Sequence, residues 1–373
     1  MVARESVSSR VGRWVRGAVG GEVREHGWAV TGAAVLGVSA AVAFAVPAQA
    51  AGGGAAAGHP YRHGLVPMRG RAGAPLVTCS SKCLRFGGGI SGVGVTTGKE
   101  KVYLVFWGSQ WGTQGKNSQG YATFSRDPAG MAPIMQAFFK GLGSSTDRWS
   151  GVMTQYCEGV STGTTRCPST APHVAYPLGG ALAGVWEDNS ATSPAQSSGH
   201  QLAVEAEKAA AHFGNTTAAA NRDAQYVVVS PTGTNPDNYQ GAGFCAWHDY
   251  SGDSTLDGGG AATGPLIAFT NMPYVTDAGA SCGAGIVDGQ LTDGITIVGG
   301  HEYAETITDQ FPAGGWVAKN GEENGDLCAW KTLGAGHMQD ITFSTGTFAV
   351  QGTWSNLANS GVGGCAISHA TVT

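Results

Sequence analysis

The clearest apolar stretch in the chain is Lys101-Val102-Tyr103-Leu104-Val105-Phe106-Trp107, rich in β-branched and aromatic side chains and free of Gly and Pro. It predicts a buried strand. A second run, Gln225-Tyr226-Val227-Val228-Val229-Ser230, stops at Pro231 and predicts another. Helical spacing takes over between Ser198 and Phe213, where Leu202, Ala206, Ala209, Ala210 and Phe213 recur on one face and Gly214 supplies the stop. A further helix is predicted from about Gly294 to Asp309, capped by Asp293 and followed by Pro312. Strands and helices are mixed, so the expected fold class is α+β or α/β. Nothing resembling a linker or repeat interrupts residues 99–373, which read as a single domain.

Two segments precede that domain. Residues 1–50 read as a signal peptide. Arg4, Arg10, Arg13, Arg16 and Arg24 make a basic front, an apolar run spans about Ala29 to Val46, and Pro47-Ala48-Gln49-Ala50 is a small-x-small cleavage site. An uncleaved anchor is the alternative, because the run approaches bilayer-spanning length. Its weak Ala/Gly apolarity and its cleavage site favour removal, so a secreted, extracellular protein with no membrane attachment after cleavage is expected. Residues 51–98 are rich in Gly, Ala and Ser and are expected to be a flexible N-terminal segment or a pro-region.

Composition sharpens this picture. Hydrophobic residues at 42% and ten Trp exclude wholesale disorder, while the charged fraction is only 13%. The net charge of −5 becomes −7 in the mature chain, with 16 basic against 23 acidic residues, so no nucleic-acid partner is expected. All eight Cys follow the leader, which in an exported chain predicts four disulfides. Cys157–Cys167 and Cys79–Cys83 are the expected local pairs. No CxxC pair suggests a zinc finger.

The candidate chemistry lies in the last predicted helix, at His301-Glu302-Tyr303-Ala304-Glu305. Positions i and i+4 share a helical face, so His301 and Glu305 can grip one metal ion. Glu302 projects beside them as a candidate general base, in the manner of HExxH zinc peptidases with Glu replacing the second His. No Lys or Arg lies between Asp293 and Trp316 to neutralise these groups. Burying them together without a cation would cost several kcal/mol. The bland alternative is a solvated acidic helix end. Glu323 or Asp326, in the acidic run Gly321–Cys328, is the expected third ligand, with Glu322 and Asp309 as weaker candidates. One His and two carboxylates leave bound Zn²⁺ formally neutral, which favours alkaline activity and admits the harder Mn²⁺ or Ca²⁺.

Other features read more weakly. Asp249, Asp253 and Asp257 suggest either a calcium loop or a solvated turn. His248 reads as a structural histidine beside Cys245, or as a group facing a cleft, and His337 as a substrate-side donor. No G-x-S-x-G elbow or Walker loop is present.

Several of these segments together resemble the plant EXORDIUM, or phosphate-induced, secreted protein family. The residues concerned are Val102 to Gly108 with Trp111, Tyr226 to Ser230, Gly243-Phe244-Cys245 with His248, and Asp288-Gly289 ahead of His301 to Thr308. Glu323-Asn324-Gly325-Asp326-Leu327-Cys328, and Val350 to Asn356 with Cys365, complete the set in order. Asp309-Gln310 stands where plant members carry Asn-Pro. The resemblance implies an extracellular, disulfide-stabilised, zincin-like metallopeptidase domain with an HExxE centre, and favours Glu323 and Asp326 as functional positions. The resulting expectation is a secreted metal-dependent hydrolase, a peptidase acting on extracellular protein or peptide or on a cell-wall component. His301, Glu305 and Glu323 would hold zinc, Asp326 would be the alternate ligand, and Glu302 the base. The rival expectation is a non-enzymatic wall-associated or glycan-binding protein with a structural divalent ion.

Overall fold

The apolar runs become the middle of one six-stranded sheet in the computed structural model, which describes residues 61–71, 83–144, 147–369 and 371–372. Its strands are β1 (His63–Pro67), β2 (Lys101–Trp107), β3 (Leu182–Asp188), β4 (Ala224–Val229), β5 (Phe244–Tyr250) and β6 (Ala268–Met272). Their spatial order is β1-β5-β6-β4-β2-β3. The four strands β3, β2, β4 and β6 run parallel, whereas β5 pairs antiparallel with β6 and β1 antiparallel with β5. Strands β2 and β4 are apolar on both faces because both faces are covered.

Helix α1 (Met131–Gly141) and helix α3 (Asp293–Thr308) cover one face, where Val102, Leu104 and Phe106 meet Met135, Phe138, Ile295 and Val298. Helix α2 (Gly199–His212) covers the other, packing Leu202, Ala206 and Ala209 against Tyr103, Val105 and Tyr226. The chain is a mixed α/β fold, as its pattern predicts. Ser198 caps α2 with a reciprocal Ser198–Gln201 capping box, which explains the abrupt start of that helix.

Helix α3 is buried along its whole length. Gly300 lets it approach its neighbours closely: a Cβ there would come within 3.1 Å of Phe138 and 3.4 Å of Trp149. The hairpin Gln339–Phe343/Gly346–Val350 also packs on α3, and Thr296 Oγ1 donates to Ala349 O. Asp293 is not the cap expected of it. It is the first helical residue, and its carboxylate accepts from the backbone of Val287 and Asp288. At the other end Asp309 leaves the helical region (φ −148°, ψ 72°) and its carboxylate accepts from the N–H groups of Ala313 and Gly315. A buried Asp therefore shapes the turn that ends α3.

Of the segment 51–98, expected to be a flexible N-terminal stretch or a pro-region, the described residues 61–71 and 83–98 pack into the fold. The described residues between 61 and 372 belong to one compact unit. Within it, β1 supplies an outer strand, Tyr61 and Val66 are buried, and Leu84, Phe86 and Val95 enter the main core. The physical reason is pairing. An edge of β5 needs backbone partners, and a short strand among Gly and Ala residues supplies them. Cys157–Cys167 pairs as expected, and two longer-range disulfides, Cys245–Cys282 and Cys328–Cys365, join it. Cys83 is disulfide-bonded as well, while Cys79 and the leader 1–50 lie outside the described residues. Among the described residues no helix is long and apolar enough to cross a membrane.

Candidate metal centre

One turn of α3 separates His301 from Glu305 and brings His301 Nε2 to 3.0 Å from Glu305 Oε2. Partners outside the helix fix both groups. Gln351, just beyond the hairpin, accepts from His301 Nδ1 at 3.2 Å and donates its own amide to Gly325 O at 2.8 Å. Because Gln351 Oε1 can only accept, Nδ1 carries a proton, and Nε2 faces the cluster, where a bound cation would take its lone pair. Glu305 Oε1 accepts from the backbone N–H groups of Gly325 (3.0 Å) and Asp326 (2.9 Å), so only Oε2 remains free.

The loop that makes those contacts is itself held. Asn324 donates to Ala304 O and Thr308 Oγ1 at the end of α3, and the Cys328–Cys365 disulfide closes the short helix Asp326–Cys328. Asp326 Oδ2 accepts from Glu323 N, while Oδ1 lies 3.6 Å from His301 Nε2. His301, Glu305 and Asp326 thus offer three donor atoms within 4.8 Å of one another.

A second set shares Glu305. Strand β5 contributes His248, whose Nε2 lies 3.3 Å from Glu323 Oε1 and 3.8 Å from Glu305 Oε2. Donor atoms of His248, Glu302 and Glu305 also fall within 4.8 Å of one another. Strand β1 crosses this cluster with Gly64 in the left-handed region (φ +51°), and a Cβ there would collide with Glu305 Oε2 and the His248 ring. That position has room for a glycine and for nothing larger.

The electrostatics describe a site short of positive charge. Burial, followed by the charges of His63 and His301, holds His248 well below its usual range, so it is neutral. Burial opposes the charged form of His301 too, yet Glu305 and Asp326 hold it well above the usual value. Glu302 and Glu323 are pushed well above ordinary carboxyls, first by burial and then by neighbouring acids. Glu305 rises to about 7 by burial and the charge of Asp326, against the opposing pull of His301. Both oxygens of Glu302, Glu323 Oε2 and His248 Nδ1 are buried with no hydrogen-bond partner, while Glu305 Oε2 and Glu323 Oε1 face only the imidazoles of His301 and His248. Each such orphan costs about 1–3 kcal/mol. A divalent cation satisfies several at once, so these residues fit a metal.

Of the residues singled out from sequence, His301, Glu302, Glu305, Glu323 and Asp326 all come together. Asp326 lies nearer to the His301–Glu305 pair, and Glu323 sits against His248 instead. Glu322 bonds locally to Asn320, Asp309 is spent on its own turn, and His337 bonds to Gly334. The sequence leaves His248 open between a structural histidine and a group facing a cleft, and gives no role to Gln351 or Gly64. Alternation along β5 gives no sign that His248 faces α3. Comparison with known proteins finds no matching family model, no matching curated protein and no matching solved structure.

Proposed function

We propose that the chain is a secreted, metal-dependent hydrolase of peptide bonds, with a zincin-like centre of the kind the EXORDIUM resemblance implies. One observation carries the reading: His and carboxylate donors, several of them buried without a partner, converge from α3, β5 and the 323–326 loop. His301 and Glu305 hold the ion, with Asp326 the nearest third ligand, and Zn²⁺ is the first choice over Mn²⁺ or Ca²⁺. Bound there, the ion supplies Lewis-acid polarisation of a carbonyl and activation of water. Gln351 keeps the His301 lone pair aimed inward. Glu302, whose two oxygens have no other partner, takes the proton as general base. Its raised proton affinity suits that role once a cation offsets the neighbouring acids.

Strand β1 covers the donors, so turnover on an extracellular protein, peptide or wall-linked substrate requires β1 to withdraw. Cleavage within a pro-region is one way to achieve it, and intact mass of fresh and aged secreted protein tests this. The central test is Glu302→Gln in the mature chain: zinc retained and peptide hydrolysis lost is expected, and retained turnover overturns the assigned role.

The complete burial of His248, His301, Glu302 and Glu305 favours a second reading, in which the ion is structural and the protein binds wall or glycan material. A chelator separates the two. It unfolds the protein under the structural reading and only silences it under the catalytic one.

A further inference from the structure

We propose that His63, Asp249 and Asp253 form a second divalent-cation site, distinct from the centre on α3, that clamps the N-terminal strand β1 onto β5. His63 opens β1, Asp249 lies near the end of β5, and Asp253 follows in the next turn. The three offer donor atoms within 4.8 Å of one another, with His63 Nε2 3.6 Å from Asp253 Oδ2.

Each aspartate spends one oxygen on a backbone N–H and turns the other toward the cluster, Asp253 Oδ2 facing His63. Asp249 Oδ1 accepts from Tyr250 N and Asp253 Oδ1 from Thr255 N, both at 2.7 Å. Asp249 is 0% exposed, and its Oδ2 has no hydrogen-bond partner. No Lys or Arg among the described residues pairs with either carboxylate. Two acids this close in a buried setting repel unless a cation or a shared proton lies between them.

The donor set selects the ion. An imidazole with two carboxylates suits Zn²⁺ or Mn²⁺, whereas Ca²⁺ and Mg²⁺ prefer oxygen alone. His63 is the partly exposed ligand, which leaves an entry path and room for water. It also precedes Gly64, so the ion would fasten the residue that crosses the α3 centre. This inference does not depend on hydrolase activity.

The test is zinc stoichiometry by mass spectrometry on the intact secreted chain, dialysed against zinc-buffered solution, with zinc alone as the probe. Wild type should carry two ions, and Asp253→Asn, His63→Gln and His301→Ala one each. Zinc should also slow tryptic cleavage at Arg69 and Arg71 in wild type but not in His63→Gln. If Asp253→Asn disturbs folding, His63→Gln, at a partly exposed side chain, decides alone. Wild-type zinc content in His63→Gln, with unchanged protection, overturns the second site. One ion in wild type that only His301→Ala removes leaves the α3 centre standing without this one. One ion that only His63→Gln removes does the reverse.

Discussion

Gly64 offers a sharp perturbation because its surroundings leave a side chain nowhere to go. In Gly64→Ala the backbone must hold φ +51°, which costs an L-residue about 1–2 kcal/mol. The new Cβ would overlap Glu305 Oε2 and the His248 ring, and forcing extra atoms into a packed interior costs typically about 1–3 kcal/mol. Together these give about 2–5 kcal/mol. At about 2 °C per kcal/mol for a domain of this size, melting should fall by about 4–10 °C. The methyl group also occupies the cradle where the donors converge, so bound zinc should drop. Gly70→Ala is the control: φ is +86° there, but nothing lies within 4 Å of the new Cβ, so only the backbone strain is felt. The assay is calorimetric melting with parallel metal analysis of both variants. Equal melting points for the two, with full zinc in Gly64→Ala, would refute the placement of β1 across the centre.

Three other outcomes are expected. Glu100 is fully buried and pushed up to about 8 by burial and then by the charge of Asp223. The native state therefore holds its proton more tightly than the unfolded chain, and stability is lost as pH climbs from about 4.5 toward 8. Glu100→Gln should remove that slope and stabilise the protein at pH 8 by on the order of a few kcal/mol, read from urea midpoints at pH 5 and 8; parallel pH profiles would count against it. Arg62 pairs with Asp237 through Nε at 2.6 Å and Nη2 at 3.0 Å, and Tyr61 and Trp247 donate to the same carboxylate. Asp237→Ala strands a buried guanidinium and should cost about 3–5 kcal/mol and free β1 for proteolysis, whereas an unchanged denaturation midpoint would show the pair to be idle. Chelation should lower the melting point: an ion at a hundredfold its Kd contributes about 2.7 kcal/mol, so an unchanged melt would argue against tight binding.

How much of this was legible in the sequence depended on range. Strand β2 is legible at its observed bounds because six apolar residues after Lys101, without Gly or Pro, leave little else to form. Helix α3 was found to within a residue at each end, and the His301/Glu305 pair follows from helical spacing alone. Contacts across long separations were not legible. His248 reaches the site only because β5 packs on α3, and Cys245–Cys282 and Cys328–Cys365 close across 37 residues each. Strand β1 was missed because its five residues lie in Gly/Ala-rich surroundings, and its partner β5 begins far downstream. The choice between Glu323 and Asp326 turns on His248, distant in sequence, which takes up Glu323 while Asp326 faces His301.

The metal itself is the most direct test. Purified without chelators and supplied with zinc, the mature chain should hold an ion that His301→Ala removes while the fold, judged by circular dichroism, persists. A chain that carries no zinc under those conditions, or one whose zinc survives His301→Ala unchanged, would contradict a metal centre on α3.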